Sequence, residues 1–530
     1  MPSPIKIAAS ASAVAASLVL VTSTTSTAAS DHGMHRATGL LRPGHLLLSS
    51  TTYTVPADAI TVGQTVLPGC TLGTTGDPNC TAVADASYPG VFNNEAYDPS
   101  FGITTPISLQ LITPSGHTMS TVDVPTATNG DHLVTSFPSK SELGLNLATG
   151  GDALTFMGYV APVGAIDISN ANTQAGDDPT NPVGLVAKRA VAKMLPYGTF
   201  TFTETNAYSG NNGRAAILAD TNGLDEYFMS GNAGNGGNPE PAPVVAGAGA
   251  QVTTPSTLAE ALQSPGTPTA VSYFNIAQLG LKPDKTPKDS NFRGLTIHNN
   301  VIYLTKGSGG NGVNTVYYVD TANTCHNGVG IPSATASLPT TGGNTICILK
   351  GFNTTLAKAA TNNAFPFGVW FANDTTMYVA DEGSGSNTYD ASTGVYTAAA
   401  SSTTAGLQKW VLQNGQWNLA YTIQNGLGLG QKYGVKDYPT TTNPATGLPW
   451  TPATDGLRNI TGRVNADGTV TIWGITSTVS GATDEGADPN RLVRVTDVLD
   501  ATSAHHDRFT TLRTARSGEA LRGIAYVPGN

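Results

Sequence analysis

The chain has 530 residues, a net charge of −10 and only 12% charged residues. No Lys/Arg-rich run occurs, which excludes a general nucleic-acid surface, since phosphate binding needs clustered cations. The 60 glycines, with abundant Thr, Ser and Asn, exclude a coiled coil or helix bundle and fit many short strands joined by turns.

Residues 1–29 read as a secretory signal peptide. Lys6 supplies the positive end, Ala8 to Val21 a small-residue apolar core, and Thr27, Ala28 and Ala29 precede a cut near Ser30. That core is too short and too rich in Ala and Ser to span a bilayer, and no other stretch approaches the length needed. The expected protein is secreted, extracellular or periplasmic, with no membrane span.

Residues 30–104 are predicted to form an N-terminal arm, with strands in HLLLSSTTYTV from His45 and AITVGQTV from Ala59. A hairpin follows between Ile107 and Val124, turning at PSG. Four cysteines allow three pairings. Short loop closure in an oxidising compartment favours Cys70 with Cys80 and Cys325 with Cys347. Zinc is the weaker reading, because no CxxC spacing accompanies them.

From residue 105 to 530 one phrase recurs six times: SKSELGLNL from Ser139, NNGRAAIL from Asn211, NFRGLTI from Asn291, FPFGVWF from Phe365, GLRNITG from Gly456 and ALRGIAY from Ala520. Each joins a polar or Gly-containing step to a short apolar strand. After the first five, further strands follow at turn signals such as TNG, HNN and NADG. This repetition predicts an all-β, six-bladed β-propeller. A seventh blade would form if Gly231–Ser272 or Gly426–Asp455 hides a degenerate one. The last phrase supplies one strand only, and the Ile107–Val124 hairpin has no phrase of its own. Pairing the N-terminal strands with the C-terminal strand would complete a blade and remove two open edges. Trp410, Trp417 and Trp473 fall inside strands and are expected to pack blades.

The segments FRGLTIHNNVIYLTKGSGGNGVNTVYYVD, FPFGVWFANDTTMYVADEG and GLQKWVLQNGQWNLAYTI resemble the strand pairs of secreted NHL-like and gluconolactonase-like propellers. The likeness covers about residues 105–530 and is specific for architecture. In gluconolactonase-like enzymes a Glu, Asn residues and an Asp hold a divalent cation in the channel. The resemblance therefore implies Glu142, Asn212 and Asn459 as metal ligands, with Ca²⁺ as the cofactor, and finds no matching Asp.

Lys140, Arg214, Arg293, Arg458 and Arg522 occupy similar places in five phrases, so a closed propeller would gather them at one end of its channel. Guanidinium groups there would bind a carboxylate or phosphate. The alternative is that each braces its own blade against acids nearby, among them Glu142, Asp289, Asp455 and Glu519. Glu142 and Asp289 are also the candidate acid–base pair. Asp484, Glu485 and Asp488 offer oxygen ligands for Ca²⁺ in one loop. Asn211, Asn212, Asn232 and Asn235 read first as turn residues. Asp381 and Glu382 end a second strand and are expected to face a loop, and His505–His506 a solvated loop. No GxSxG elbow is present. The leading expectation is an exported propeller binding a small anionic molecule or glycan at its channel mouth. The alternatives are a divalent-metal-dependent hydrolase or lyase and a cell-surface interaction scaffold.

Overall fold

The computed structural model describes residues 39–72, 80–91, 102–125, 132–255, 262–263, 268–283, 285–334, 337–360, 363–482, 485–504 and 507–529. The expected signal peptide and His505–His506 lie outside them.

Nearly all regular structure is antiparallel strand, built as four-stranded meanders. Asn146–Leu147, Leu154–Ala161, Arg189–Met194 and Phe200–Thr205 pair in succession. So do Gly213–Thr221, Leu224–Gly231, Ala250–Thr253 and Thr269–Tyr273. Leu295–His298, Val301–Lys306, Thr315–Asp320 and Asn344–Leu349 follow. Next come Pro366–Asn373, Thr376–Asp381, Gly406–Gln413 and Gln416–Ile423, then Ala453–Val464, Thr469–Val479, Arg491–Val498 and Thr510–Thr514. Turn chemistry fixes the tight hairpins. Asn299 and Asn300 lie at φ 50° and 57° between Leu295–His298 and Val301–Lys306, positive angles that match the right-handed twist of the flanking strands.

The last meander uses both ends of the chain. Glu519–Tyr526 pairs with Leu46–Thr52, which pairs with Thr104–Ile112, which pairs with Thr118–Asp123. Leu46–Thr52, expected in the arm, is thus the second strand of this sheet. The other strand expected in the arm, from Ala59, does not form. Ala57–Ala59 is a single 3₁₀ turn, and the Thr61 carbonyl accepts from the backbone N–H of Gln64 and Thr65 across Gly63. Val62 and Val66 are 53% and 62% exposed, so the alternating apolar pattern there has no sheet to bury it.

Successive phrases touch in a cycle. Gly144 N–H donates to the Arg214 carbonyl at 3.1 Å, and Arg214 Nη1 to the Phe292 carbonyl at 2.7 Å. A Cβ on Gly294 would lie 2.0 Å from the Phe367 carbonyl oxygen, and one on Gly523 2.2 Å from that of Leu143. Asn459 Nδ2 donates to the Arg522 carbonyl at 3.0 Å, and Gly368 packs on the Arg458 carbonyl. After Leu143, Arg293, Phe367 and Arg522 the next residue is glycine, and the neighbouring strand's backbone occupies the side-chain volume there. Gly294→Ala should cost about 1–3 kcal/mol through this overlap, read as a lower urea midpoint with unchanged slope.

Trp473 and Trp417 are buried, and Trp410 stacks on Phe352 with ring centres 3.8 Å apart. Cys70–Cys80 and Cys325–Cys347 are both disulfide-bonded, which fits an oxidising, extracytoplasmic environment. The second closes a sequence separation of 22, so its replacement by two serines should lower stability by about 3 kcal/mol in chemical denaturation. Among the described residues no helix is long and apolar enough to cross a membrane.

Candidate functional site

The basic residues of the phrases lie in or shortly before the phrase strands, and four are almost wholly buried: Arg214, Arg293, Arg458 and Arg522 are 2–7% exposed. Lys140 is the accessible one, with 27% of its side chain exposed. Two of the five are braces. Arg522 Nη2 donates to the carbonyls of Phe137 and Gly486. Arg214 donates to Asn212 Oδ1 at 2.9 Å, to Asn291 Oδ1 and to the Phe292 carbonyl.

The other three meet at a residue that the sequence placed in a loop. Glu382 follows the strand Thr376–Asp381, and its carboxylate is 3% exposed. Oε2 accepts from Arg458 Nε at 3.1 Å and lies 3.9 Å from Lys140 Nζ. Burial pushes this carboxyl up, but Lys140, Arg293 and Arg458 together outweigh burial and hold it below its ordinary value. Arg293 also lies over the ring of Phe367, 5.8 Å from its centre. Phe367 stands where the fourth phrase lacks a base. Burial and the nearby Arg293 charge both drive the Arg214 guanidinium well below its usual range. Arg458 Nη2 and Glu382 Oε1 are buried without a hydrogen-bond partner.

Beside Glu382, burial raises the Asp381 carboxyl from 3.8 to about 6, against hydrogen bonds from the N–H groups of Phe365 and Gly383. A carboxyl raised in the folded state binds more protons than the unfolded chain between these two values. Its contribution therefore falls as pH rises through about 4 to 6 and is lowest above it. Relative to Asp381→Asn, the wild type should lose thermal stability between pH 4 and 7. A difference that stays constant across that range would refute the assignment.

Glu142 is a saturated hub. Oε2 accepts from Thr135 Oγ1 at 2.6 Å and Ser136 N–H at 3.0 Å, and Oε1 from Tyr159 at 2.6 Å and Asn212 Nδ2 at 3.4 Å. Asn212 turns its nitrogen, not its oxygen, toward Glu142, and its oxygen serves Arg214. Asn459 is committed to the Arg522 carbonyl. Asp289 sits in the 3₁₀ turn Lys288–Ser290, where its charge acts on Tyr317. Of the loop acids, Asp484 lies outside the described residues, and Asp488 accepts from Tyr438 at 3.0 Å. Among the described residues no three His, Cys, Asp or Glu side chains gather as a metal site.

Further along the same strands lies a cavity of about 340 Å³. Leu147, Ile217, Ile297, Val369, Ile460 and Ile524 line it, one from each strand that carries the phrase. Sequence reading did not anticipate it, because its walls look like ordinary strand interior.

No family model and no curated protein matches the chain. Solved structures resemble it distantly. One described as NanB plus Optactamide is 6% identical with a TM-score of 0.34, covering 72% of this chain and 61% of that one. This chain thus spans less than two thirds of that protein. An ulvan lyase bound to a GlcA–Rha3S unit is 9% identical with a TM-score of 0.28, covering 79% and 89%. A B. megaterium levansucrase variant is 9% identical with a TM-score of 0.22, covering 79% and 84%. Likeness at these scores carries no weight for function.

Proposed function

We propose that the meanders are the blades of a six-bladed β-propeller and that the charged end of its channel binds a small anionic molecule or an acidic sugar. The cycle of contacts between phrases and the cavity shared by their strands support the ring and its count. Within residues 30–104, Leu46–Thr52 is then a blade strand.

One observation carries the binding reading: three cations, Lys140, Arg293 and Arg458, act together on the buried Glu382 carboxylate. Arg293 and Arg458 are largely desolvated, which strengthens their attraction for an anion relative to water. Lys140 gives the solvent-facing approach. Export, expected from the first 29 residues and consistent with the disulfides, would place this site among extracellular anions and glycans. A metal-dependent hydrolase centred on Glu142 gains no support, since that carboxylate already accepts four hydrogen bonds.

Calorimetric titration with glucuronate, glucose and inorganic phosphate tests this. Glucuronate or phosphate should bind, glucose should not, and affinity should fall with added salt. Lys140→Met, at a partly exposed position, should weaken anion binding about tenfold, the 1.4 kcal/mol typical of one charge-assisted contact. Absence of binding by either anion, or identical affinity in Lys140→Met, would overturn the reading.

A further inference from the structure

The cavity lies on the phrase strands but beyond their charged starts. Ile217, Thr296 and Thr461 come three residues after Arg214, Arg293 and Arg458, which at strand rise is about 10 Å along the channel. The chemistry changes completely over that distance. Among the residues lining the cavity there is no Asp, Glu, Lys, Arg or His.

The walls also spend their polar groups on the frame. Asn146 Nδ2 donates to the Ala216 carbonyl at 3.2 Å. The Thr461 hydroxyl accepts from Tyr526 N–H at 3.0 Å. Trp370 is held by its packing over Gly462, where a Cβ would meet the indole at 2.8 Å. What remains toward the interior is hydrocarbon and indole mixed with a comparable share of uncharged polar surface. The rim is different: Thr149, Gly151 and Pro528 are exposed and Thr296 is half-buried. The cavity therefore opens to solvent at an edge that carries hydroxyls.

We infer that this cavity is a second binding site, for an uncharged small molecule with an apolar ring and at most one or two hydroxyl groups. Its volume of about 340 Å³ lies at the small end of ligand pockets, which run from about 300 to 1,000 Å³ and are mostly apolar with a few polar groups for orientation. A charged ligand is selected against, because its hydration would be stripped with no counter-ion in the wall. The hydroxyls of Thr149 and Thr296 at the rim meet a ligand hydroxyl. This site is independent of the anion reading, since the two share strands but no side chain.

The test compares naphthalene methanol with naphthoate, two molecules of one ring size that differ in charge, by calorimetry on the full chain at neutral pH. The alcohol should bind one to one and at least tenfold tighter than the carboxylate. Ile297→Glu places a charge in the wall, and Thr296→Trp fills the opening from a half-buried position. Each should weaken the alcohol at least tenfold, while leaving the affinity for glucuronate or phosphate where the wild type has it. Circular dichroism and the urea midpoint identify a variant that fails to fold, and the other variant and the wild-type comparison then decide. The inference is overturned if the alcohol does not bind, if naphthoate binds as tightly, or if a folded variant binds the alcohol as the wild type does.

Discussion

Replacing Lys409 by Met should lower the free energy of unfolding by about 3–5 kcal/mol, the cost of leaving a buried charge without its partner. Lys409 has no exposed surface and forms an ion pair with Asp497 at 3.0 Å. Its ammonium also donates to Tyr421 at 3.0 Å and to the carbonyls of Val498 and Ala501 at 2.7 and 3.1 Å. Asp497 accepts in addition from Tyr378 at 2.5 Å and Tyr421 at 2.6 Å. Burial, and then the Asp497 carboxylate, drive both phenols far up, so they stay protonated and cannot replace the lost cation. The network joins Gly406–Gln413 in one meander to Arg491–Val498 in the next. Without the lysine, the Asp497 carboxylate keeps its two phenol donors but loses its counter-ion. Urea denaturation monitored by tryptophan fluorescence gives the number. The double variant Lys409→Met/Asp497→Leu should recover much of the loss, because an apolar pair of similar volume restores neutrality. A single-variant loss below 1 kcal/mol would show that water reaches the site and that the clamp is not a dry one.

Much of this architecture is legible in the sequence because it is written locally. Each phrase joins a polar or Gly-containing step to a short apolar run, and the first five are followed by an Asn- or Gly-bearing turn. Those signals are enough to place Gly213–Thr221 against Leu224–Gly231, or Leu295–His298 against Val301–Lys306. The disulfides were legible for the same reason, since both close short loops. What was not legible depends on neighbours distant in sequence. The expected pairing of N-terminal strands with the C-terminal strand is found in Leu46–Thr52 beside Glu519–Tyr526, although the position of Leu46–Thr52 as second strand of that sheet is not legible in the sequence. AITVGQTV has strand composition but no strand to pair with. The basic residues are visible as a set, yet their roles divide by what the next phrase presents. Arg214 finds Asn291 and a carbonyl and becomes a brace. Arg458 finds Glu382, which belongs to the preceding meander and carries no signal beyond an acidic pair at a strand end. The glycines were read as turn formers, whereas Gly294 and Gly523 serve close backbone approach. No single phrase contains the partner that explains it.

Glu382→Gln should also destabilise by about 3–5 kcal/mol at low ionic strength, and its signature should differ from that of Lys409→Met. The substitution keeps the side-chain shape and removes one negative charge from among Lys140, Arg293 and Arg458. Arg293 and Arg458 are 7% and 4% exposed, so solvent offers them little relief. The pH dependence has a definite sign. The folded carboxyl lies below the ordinary 4.5, so its stabilisation is fully present above about 4.5 and is lost as pH falls through the lower folded value. The wild-type advantage over the variant should therefore shrink on acidification below pH 4.5 and stay flat from pH 6 to 8. Phosphate supplies the second arm. An anion that binds only the folded state stabilises it by RT ln(1 + [L]/Kd), and the loss of the competing negative charge in Glu382→Gln should lower Kd. Added phosphate should then raise the variant's melting temperature more than the wild type's, whereas the same ionic strength of sodium chloride should not. Equal shifts in both proteins would mean that Glu382 is only one member of a closed brace. A larger shift in the variant would mean that the carboxylate occupies, from within the chain, the place an anionic ligand takes.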